Sequence, residues 1–195
     1  MQRPLALLAV VLAVLLVSGQ ALAEKRVALV IGNSDYSKAN MNSLPNPKND
    51  AGDIAEVLKQ QGFKLIGGGV QLDLNRQTMF ERILEFGDHL GPDIVGLFYY
   101  AGHGIAVKRT NYLIPVDGGA KSKREVSIKM VAADYIMEQF QETGGGLNIM
   151  ILDACRNTPG IYRGFRDPGV DGLAEMKAAS GTMISYATQP GNLAM

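Results

Sequence analysis

Two residues in this sequence could support nucleophilic chemistry, Cys155 and His103. Cys155 is the only cysteine, so it has no partner for an intrachain disulfide. A thiol becomes a useful nucleophile when a neighbouring base or cation holds it as thiolate, and a histidine can also protonate a departing amine. Free cysteine is equally among the most buried residue types. The residue type alone leaves a structural thiol and a working thiol as open interpretations.

The sequence contains two histidines, and their surroundings differ. His89 lies in the polar part of a predicted helix, which indicates a solvated surface residue. His103 stands between Gly102 and Gly104, which let the backbone approach a substrate closely and leave amides free to donate. A hydrogen-bonded turn histidine is the alternative. We select His103 as the candidate base and acid for Cys155.

The elements that must position these residues follow from hydrophobic periodicity. Short apolar runs predict strands, and stretches with apolar residues three and four apart predict helices. Asn49 or Asp50 is the expected cap of the first helix, and Asn75 that of the second. The predicted strands cover residues 26–32, 63–66, 93–100, 147–152 and 182–187; a third helix covers 133–141, and 105–107 with 112–116 form a hairpin.

Alternation of strands and helices predicts an α/β fold with a mostly parallel sheet and helices on both faces. Chemistry in such sheets gathers beyond the carboxyl ends of the strands. His103 and Cys155 both follow predicted strands. Neighbouring strands lie about 5 Å apart, so residues distant in sequence can converge at this edge.

The overall composition excludes several classes of function. The chain has 195 residues, with 19 Lys plus Arg and 19 Asp plus Glu, which give zero formal net charge. One globular domain fits this length. Electrostatic capture of nucleic acid requires an excess of cations, so no nucleic-acid partner is expected.

Residues 1–23 have the pattern of a signal peptide. Arg3 precedes an apolar run from Leu5 to Val17, and small residues follow at Ala21 and Ala23. The run would span only about 20 Å as a helix, shorter than a typical bilayer core. An uncleaved membrane anchor is the alternative. We predict export to the periplasm or medium, with residues 24–195 as the mature domain and no stable membrane insertion.

Two segments resemble the catalytic segments of the caspase-like cysteine peptidases. Residues 99–104 read YYAGHG and residues 153–156 read DACR. Asp153, two positions before the cysteine, is similar to the metacaspase and bacterial caspase-like branch. The run VIGN at 30–33 with Tyr36, and NDA at 49–51, also resembles the opening strand and first helix of that branch.

The resemblance implies a caspase-haemoglobinase-like sandwich and an endopeptidase acting on a protein or peptide substrate. His103 would polarise the scissile peptide and protonate the leaving amine, and Cys155 would attack the carbonyl. The backbone N–H groups of Gly104 and Cys155 would hold the oxyanion. By the same resemblance a further helix and strand would follow residue 195. Either they are absent and the sheet has an exposed edge there, or this sequence is part of a longer product.

The resemblance also implies cleavage after Arg or Lys. Asp50 and Asp153 match positions that line the primary pocket of that branch, and paired carboxylates can bind a guanidinium at two points. The alternatives are a helix cap for Asp50 and an Asx turn for Asp153. Ala101 stands where relatives often carry Ser, which removes one hydroxyl from the pocket. Some relatives require calcium, but no carboxylates occur at regular odd spacing, so no metal or other cofactor is expected.

Two competing functions stay open from the sequence. One is a catalytically silent caspase-like scaffold that binds partners. The other is a nucleotide-binding or receiver-type domain, which would need phosphate-binding glycines after the first strand; only Gly32 is present there. The oligomeric state is not determined by the sequence.

Overall fold

The computed structural model describes residues 25–142, 144, 146–155, 164 and 173–187, and for Cys155 it describes the main chain. The predicted signal peptide over residues 1–23 lies outside these residues and stays a prediction. Within the described ranges, no helix combines the length and apolar character needed to cross a bilayer.

The centre of the fold is a mostly parallel sheet. Its strands are β1 (Lys25–Gly32), β2 (Lys64–Leu65), β3 (Gln71–Leu72), β4 (Ile94–Val107), β5 (Thr110–Leu113), β6 (Val131–Ala132), β7 (Leu147–Cys155) and β8 (Thr182–Tyr186). β1 pairs in parallel with three strands, β2, β3 and β4; β4 pairs with β7, and β7 with β8. β5 pairs antiparallel with the carboxyl end of β4, and β6 pairs antiparallel with β5. The mostly parallel sheet predicted from the sequence is confirmed.

Helices cover both faces of this sheet. They are α1 (Pro47–Gln60), α2 (Arg76–Asp88), α3 (Lys123–Lys129) and α4 (Asp134–Glu142), with 3-10 turns at Ser37–Ala39 and Ile66–Gly68. Ala51, Ala55 and Leu58 of α1 pack with one set of strand residues, and side chains of α2 and α4 pack with the opposite set. These two apolar clusters explain why the strands are almost continuously hydrophobic.

The start of α2 agrees with the sequence, whereas the start of α1 does not. The Asn75 side chain accepts a hydrogen bond from the Thr78 N–H at 2.9 Å, as a helix cap does. α1 begins earlier than predicted, because Pro47 occupies its first turn, where a missing N–H costs nothing. Asp50 therefore lies inside the first turn, and its N–H donates to Asn46 O at 3.0 Å. The residue before the first turn is Asn46, so the predicted cap at Asn49 or Asp50 was wrong, and the Asp50 carboxylate does not cap this helix.

Both strands that carry the candidate residues are longer than predicted. β4 continues through the Gly-His-Gly segment to Val107, and a two-residue turn at Lys108 and Arg109, both left-handed, leads into β5. β7 continues to Cys155. Asp153 is thus a strand residue, and the Asx-turn alternative was wrong. β7 can extend this far because β4 offers it a hydrogen-bonding partner along its full length.

Candidate active site

The pairing of β4 with β7 aligns the two candidate segments residue by residue. His103 is the direct Cα partner of Cys155, and Ala101 is the partner of Asp153. Neighbouring strands lie about 4.8 Å apart, so the main chains of the two candidates are as close as adjacent strands allow. The two residues are 52 positions apart in the sequence. The pairing of β4 with β7 places their main chains side by side, so the predicted convergence at the carboxyl ends of the strands is confirmed for the backbone.

The imidazole of His103 is held in a defined orientation. Its Nε2 lies 3.0 Å from the main-chain O of Asn42. A carbonyl only accepts, so Nε2 carries the proton and Nδ1 presents a lone pair. Nδ1 is buried and has no hydrogen-bond partner among the described residues. The histidine therefore has one anchored nitrogen and one basic nitrogen free for chemistry.

Two buried tyrosines support the backbone of His103. The His103 N–H donates to Tyr36 Oη at 2.8 Å, and Tyr36 Oη lies 3.2 Å from Tyr100 Oη. Tyr100 Oη is within 2.8 Å of His103 O and 3.0 Å of Ile114 O, to either of which it donates. The Tyr36 ring also lies against the imidazole, with centroids 4.5 Å apart. This relay fixes both the main chain and the ring of His103.

Gly102 makes room for these two hydroxyls. A Cβ at this position would lie 2.6 Å from both Tyr36 Oη and Tyr100 Oη. We expect Gly102→Ala to lower the free energy of unfolding by about 2 kcal/mol, because the relay must separate to admit the methyl group. Urea denaturation measures this change.

A matched control for that substitution lies in α1. A Cβ at Gly52 meets nothing within 4 Å. Gly52→Ala should therefore raise the free energy of unfolding by about 0.5–1 kcal/mol, since alanine is the better helix former. Equal stability of the two variants would contradict the packing described for Gly102.

Burial lowers the pKa of His103, and the hydrogen bond to Asn42 O only partly opposes it. In the Cys155→Ala chain, the unfolded state therefore binds a proton more readily than the native state does. The free energy of unfolding should fall as pH decreases from the unfolded pKa of about 6.5 towards the lower native value. Urea denaturation between about pH 7.5 and about pH 5 measures the slope. The same chain carrying His103→Gln should lack this component; an identical slope would contradict a buried, neutral imidazole.

Asp50 and Asp153 lie together on the α1 face of the sheet. Burial raises the pKa of Asp50, and the negative charge of Asp153 raises it further, with a smaller effect from Asp53. Tyr99 Oη donates to Asp153 Oδ2 at 3.2 Å. Both carboxylates are half-buried. Two acids that repel each other in a partly desolvated position form a site suited to a cation.

The other two residues considered from the sequence, Gly104 and His89, lie in different parts of the fold. Gly104 follows His103 in β4 and is close-packed, since a Cβ there would lie 3.0 Å from the Ala154 Cβ. His89 ends α2, where its Nδ1 donates to Glu85 O at 2.8 Å and its Nε2 lies 3.1 Å from Lys64 Nζ. In the described part of the chain no three His, Cys, Asp or Glu residues form a group that could hold a metal ion.

Four contributors to this site were not identified from the sequence: Asn42 and the hydroxyls of Tyr36, Tyr99 and Tyr100. Tyr99 carried a usable signal, because strand alternation places it on the same face as Ala101, the register partner of Asp153. Asn42 carried none, since its main-chain carbonyl would be present with any residue type.

Comparisons with known proteins agree with this architecture. The sequence profile of the caspase domain family, peptidase family C14, matches residues 25–195. The mouse mucosa-associated lymphoid tissue lymphoma translocation protein 1 homolog is 32% identical over 174 residues, which cover 89% of this chain and 19% of that protein. The human protein of that name is 31% identical over 172 residues, 88% of this chain and 19% of that protein. The chain thus spans about a fifth of the length of these relatives.

Solved caspase structures share the fold at low sequence identity. The structure of pro-sf-caspase-1 has a TM-score of 0.60 at 15% identity and covers 86% of this chain and 62% of that chain. The Drosophila initiator caspase Dronc has a TM-score of 0.55 at 14% identity, covering 86% of this chain and 56% of that chain. The caspase-like sandwich implied by the sequence is therefore confirmed. The profile match over residues 25–195 and the 32% identity to the mouse relative show that the chain belongs to the caspase-domain family of cysteine peptidases.

Proposed function

We propose that this protein is a cysteine endopeptidase that uses Cys155 and His103 to cleave peptide bonds after Arg or Lys. The observation that carries the proposal is the strand register that makes His103 and Cys155 direct neighbours. It is supported by the unpartnered Nδ1 of a buried histidine beside that position. A substrate entering here would meet the basic nitrogen and the cysteine together.

The proposed reaction balances in two steps. Nδ1 of His103 accepts the thiol proton while the Cys155 sulfur attacks the scissile carbonyl and forms the C–S bond. The same imidazole then protonates the amine, and the C–N bond breaks to leave a thioester. Water then attacks the thioester carbon while His103 accepts its proton, the C–S bond breaks to release the carboxylic acid, and the imidazole returns the proton to the Cys155 sulfur. Because Nε2 stays hydrogen-bonded to Asn42 O, the imidazole does not have to rotate between steps.

The oxyanion of the tetrahedral intermediate requires donors next to this pair. We assign this role to the backbone N–H groups of Gly104 and Cys155. Gly104 follows His103 in β4, and Cys155 is the register partner of His103 in β7. Each such donor is worth about 3 kcal/mol of transition-state stabilisation.

Asp50 and Asp153 form the proposed pocket for the basic side chain. The pKa of Asp50 is raised by its burial and by the charge of Asp153, so a bound guanidinium relieves the repulsion and gains charge-assisted hydrogen bonds. An acidic side chain would add a third negative charge. The pocket therefore favours Arg or Lys and rejects Asp before the cleaved bond.

A cleavage assay on residues 24–195 tests the proposed function. Fluorogenic peptides that differ only in Arg, Lys or Asp before the reporter bond are compared, with and without calcium. Hydrolysis of the Arg and Lys peptides, abolished in Cys155→Ala, is expected. Equal cleavage of the Asp peptide would contradict the pocket, and activity that survives Cys155→Ala would contradict the cysteine mechanism.

A further inference from the structure

We propose that Tyr99 is a positioning residue of the basic-side-chain pocket: its hydroxyl holds Asp153 in the orientation that receives a guanidinium. This inference rests on the proposed pocket of Asp50 and Asp153. It assigns to Tyr99 a part in substrate selection, separate from bond cleavage.

The geometry places the phenol in contact with one oxygen of the carboxylate. Tyr99 Oη donates to Asp153 Oδ2 at 3.2 Å. In register terms Tyr99 lies opposite Ile151, so Asp153 is the same-face neighbour two residues further along β7.

The position of the hydroxyl is fixed by the packing of its ring. Tyr99 is 4% exposed and belongs to the apolar cluster between the sheet and α1. Ala51, the neighbour of Asp50 in α1, and Ala101, the register partner of Asp153, belong to the same cluster. The ring is therefore held by packing between the sheet and α1, within electrostatic range of both carboxylates, so its hydroxyl has a fixed position.

The two carboxylates are close enough to interact, because the charge of Asp153 helps to raise the pKa of Asp50. A donor in a fixed place favours one orientation of the Asp153 side chain beside that like charge. Burial, together with the charge of Asp153, raises the pKa of Tyr99 far above its usual range. The phenol consequently keeps its proton at every physiological pH and stays a donor to Asp153.

Binding of acetyl-arginine amide to the Cys155→Ala chain tests this role without requiring turnover. Tyr99→Phe keeps the ring and removes only the hydroxyl. We expect it to raise the dissociation constant about 10-fold, the effect of losing a hydrogen bond to a charged group. Tyr135→Phe is the matched control: Tyr135 packs edge-on against Phe80 in another part of the fold, and its substitution should leave binding unchanged.

A double-mutant cycle separates positioning from packing. In an Asp153→Asn background, Tyr99→Phe should have no further effect on binding, because the carboxylate that it orients is absent. An equal loss in both backgrounds would overturn the inference, as would unchanged affinity in Tyr99→Phe or no binding by the Cys155→Ala chain. In the active chain, Tyr99→Phe should raise KM for the Arg peptide and leave kcat nearly unchanged. If the chain cleaves no peptide but Tyr99-dependent binding is observed, the peptidase proposal fails and this inference stands.

Discussion

Replacing His103 by alanine is expected to lower kcat/KM for peptide hydrolysis by about 10³-fold or more. The substitution removes the group that accepts the thiol proton and returns it to the leaving amine, and general acid–base catalysis with nucleophile activation accounts for factors of this order. Asn42 O and the Tyr36 ring hold the His103 imidazole in place, and an alanine supplies neither a proton acceptor nor a proton donor there. Steady-state kinetics with the Arg peptide measures the loss.

His89→Ala is the matched control for this experiment. His89 lies at the end of α2, where it contacts Glu85 and Lys64, and its removal should change kcat/KM less than about twofold. Circular dichroism and urea denaturation establish whether the His103→Ala chain remains folded. If the folded His103→Ala chain retains more than about a tenth of the activity, His103 is not the acid–base residue.

Removing the charge of Asp153 is expected to reduce kcat/KM for the Arg peptide by about 100-fold. Asp153→Asn leaves the guanidinium facing an amide in a partly desolvated pocket, and loss of one partner from such a pair commonly has this cost. Asp50→Asn should have an effect in the same direction. A peptide with a neutral residue before the bond should be cleaved equally by the parent and both variants, because it makes no ion pair.

Asp53→Asn provides the control for charge alone. Asp53 is an exposed acid on α1, three positions beyond Asp50, so it changes the local charge without touching the proposed pocket. Its variant should retain the preference for Arg.

The preference for Arg should also depend on pH. Because burial and Asp153 raise the pKa of Asp50, the preference should be lost on acidification at a higher pH than an ordinary aspartate would require. An Arg preference that survives in the Asp50→Asn, Asp153→Asn double variant would contradict the pocket assignment.

The sequence predicted the sheet well because buried parallel strands are continuously apolar. β1 and β8 were located to within one residue at either end, and the Asn75 cap was correct. The ends of β4 and β7 were missed for a common reason. Gly102 and Asp153 belong to residue types that are depleted in strands, yet here each is held in a strand by the β4–β7 pairing.

The candidate site was predictable only where residue type carries the chemistry. His103 was selected from its residue type and its two glycine neighbours, whereas Asp50 and Asp153 were selected from the resemblance to the caspase-like family. The Asn42 carbonyl and the relay through Tyr36 and Tyr100 depend on three-dimensional contacts. α3 was not predicted either, because its seven residues include only two large apolar side chains, of which Ile128 is 66% exposed.

The rate of Cys155 alkylation by iodoacetamide tests most directly whether the His103 imidazole activates the sulfur. Cys155 is the single thiol of the chain, so labelling reports on this residue alone. The account predicts that at about pH 6, where a free thiol is almost fully protonated, the parent chain reacts faster than a model thiol and the His103→Ala chain loses that advantage. Labelling no faster than the model thiol, and unchanged by His103→Ala, would show that the two groups do not act together.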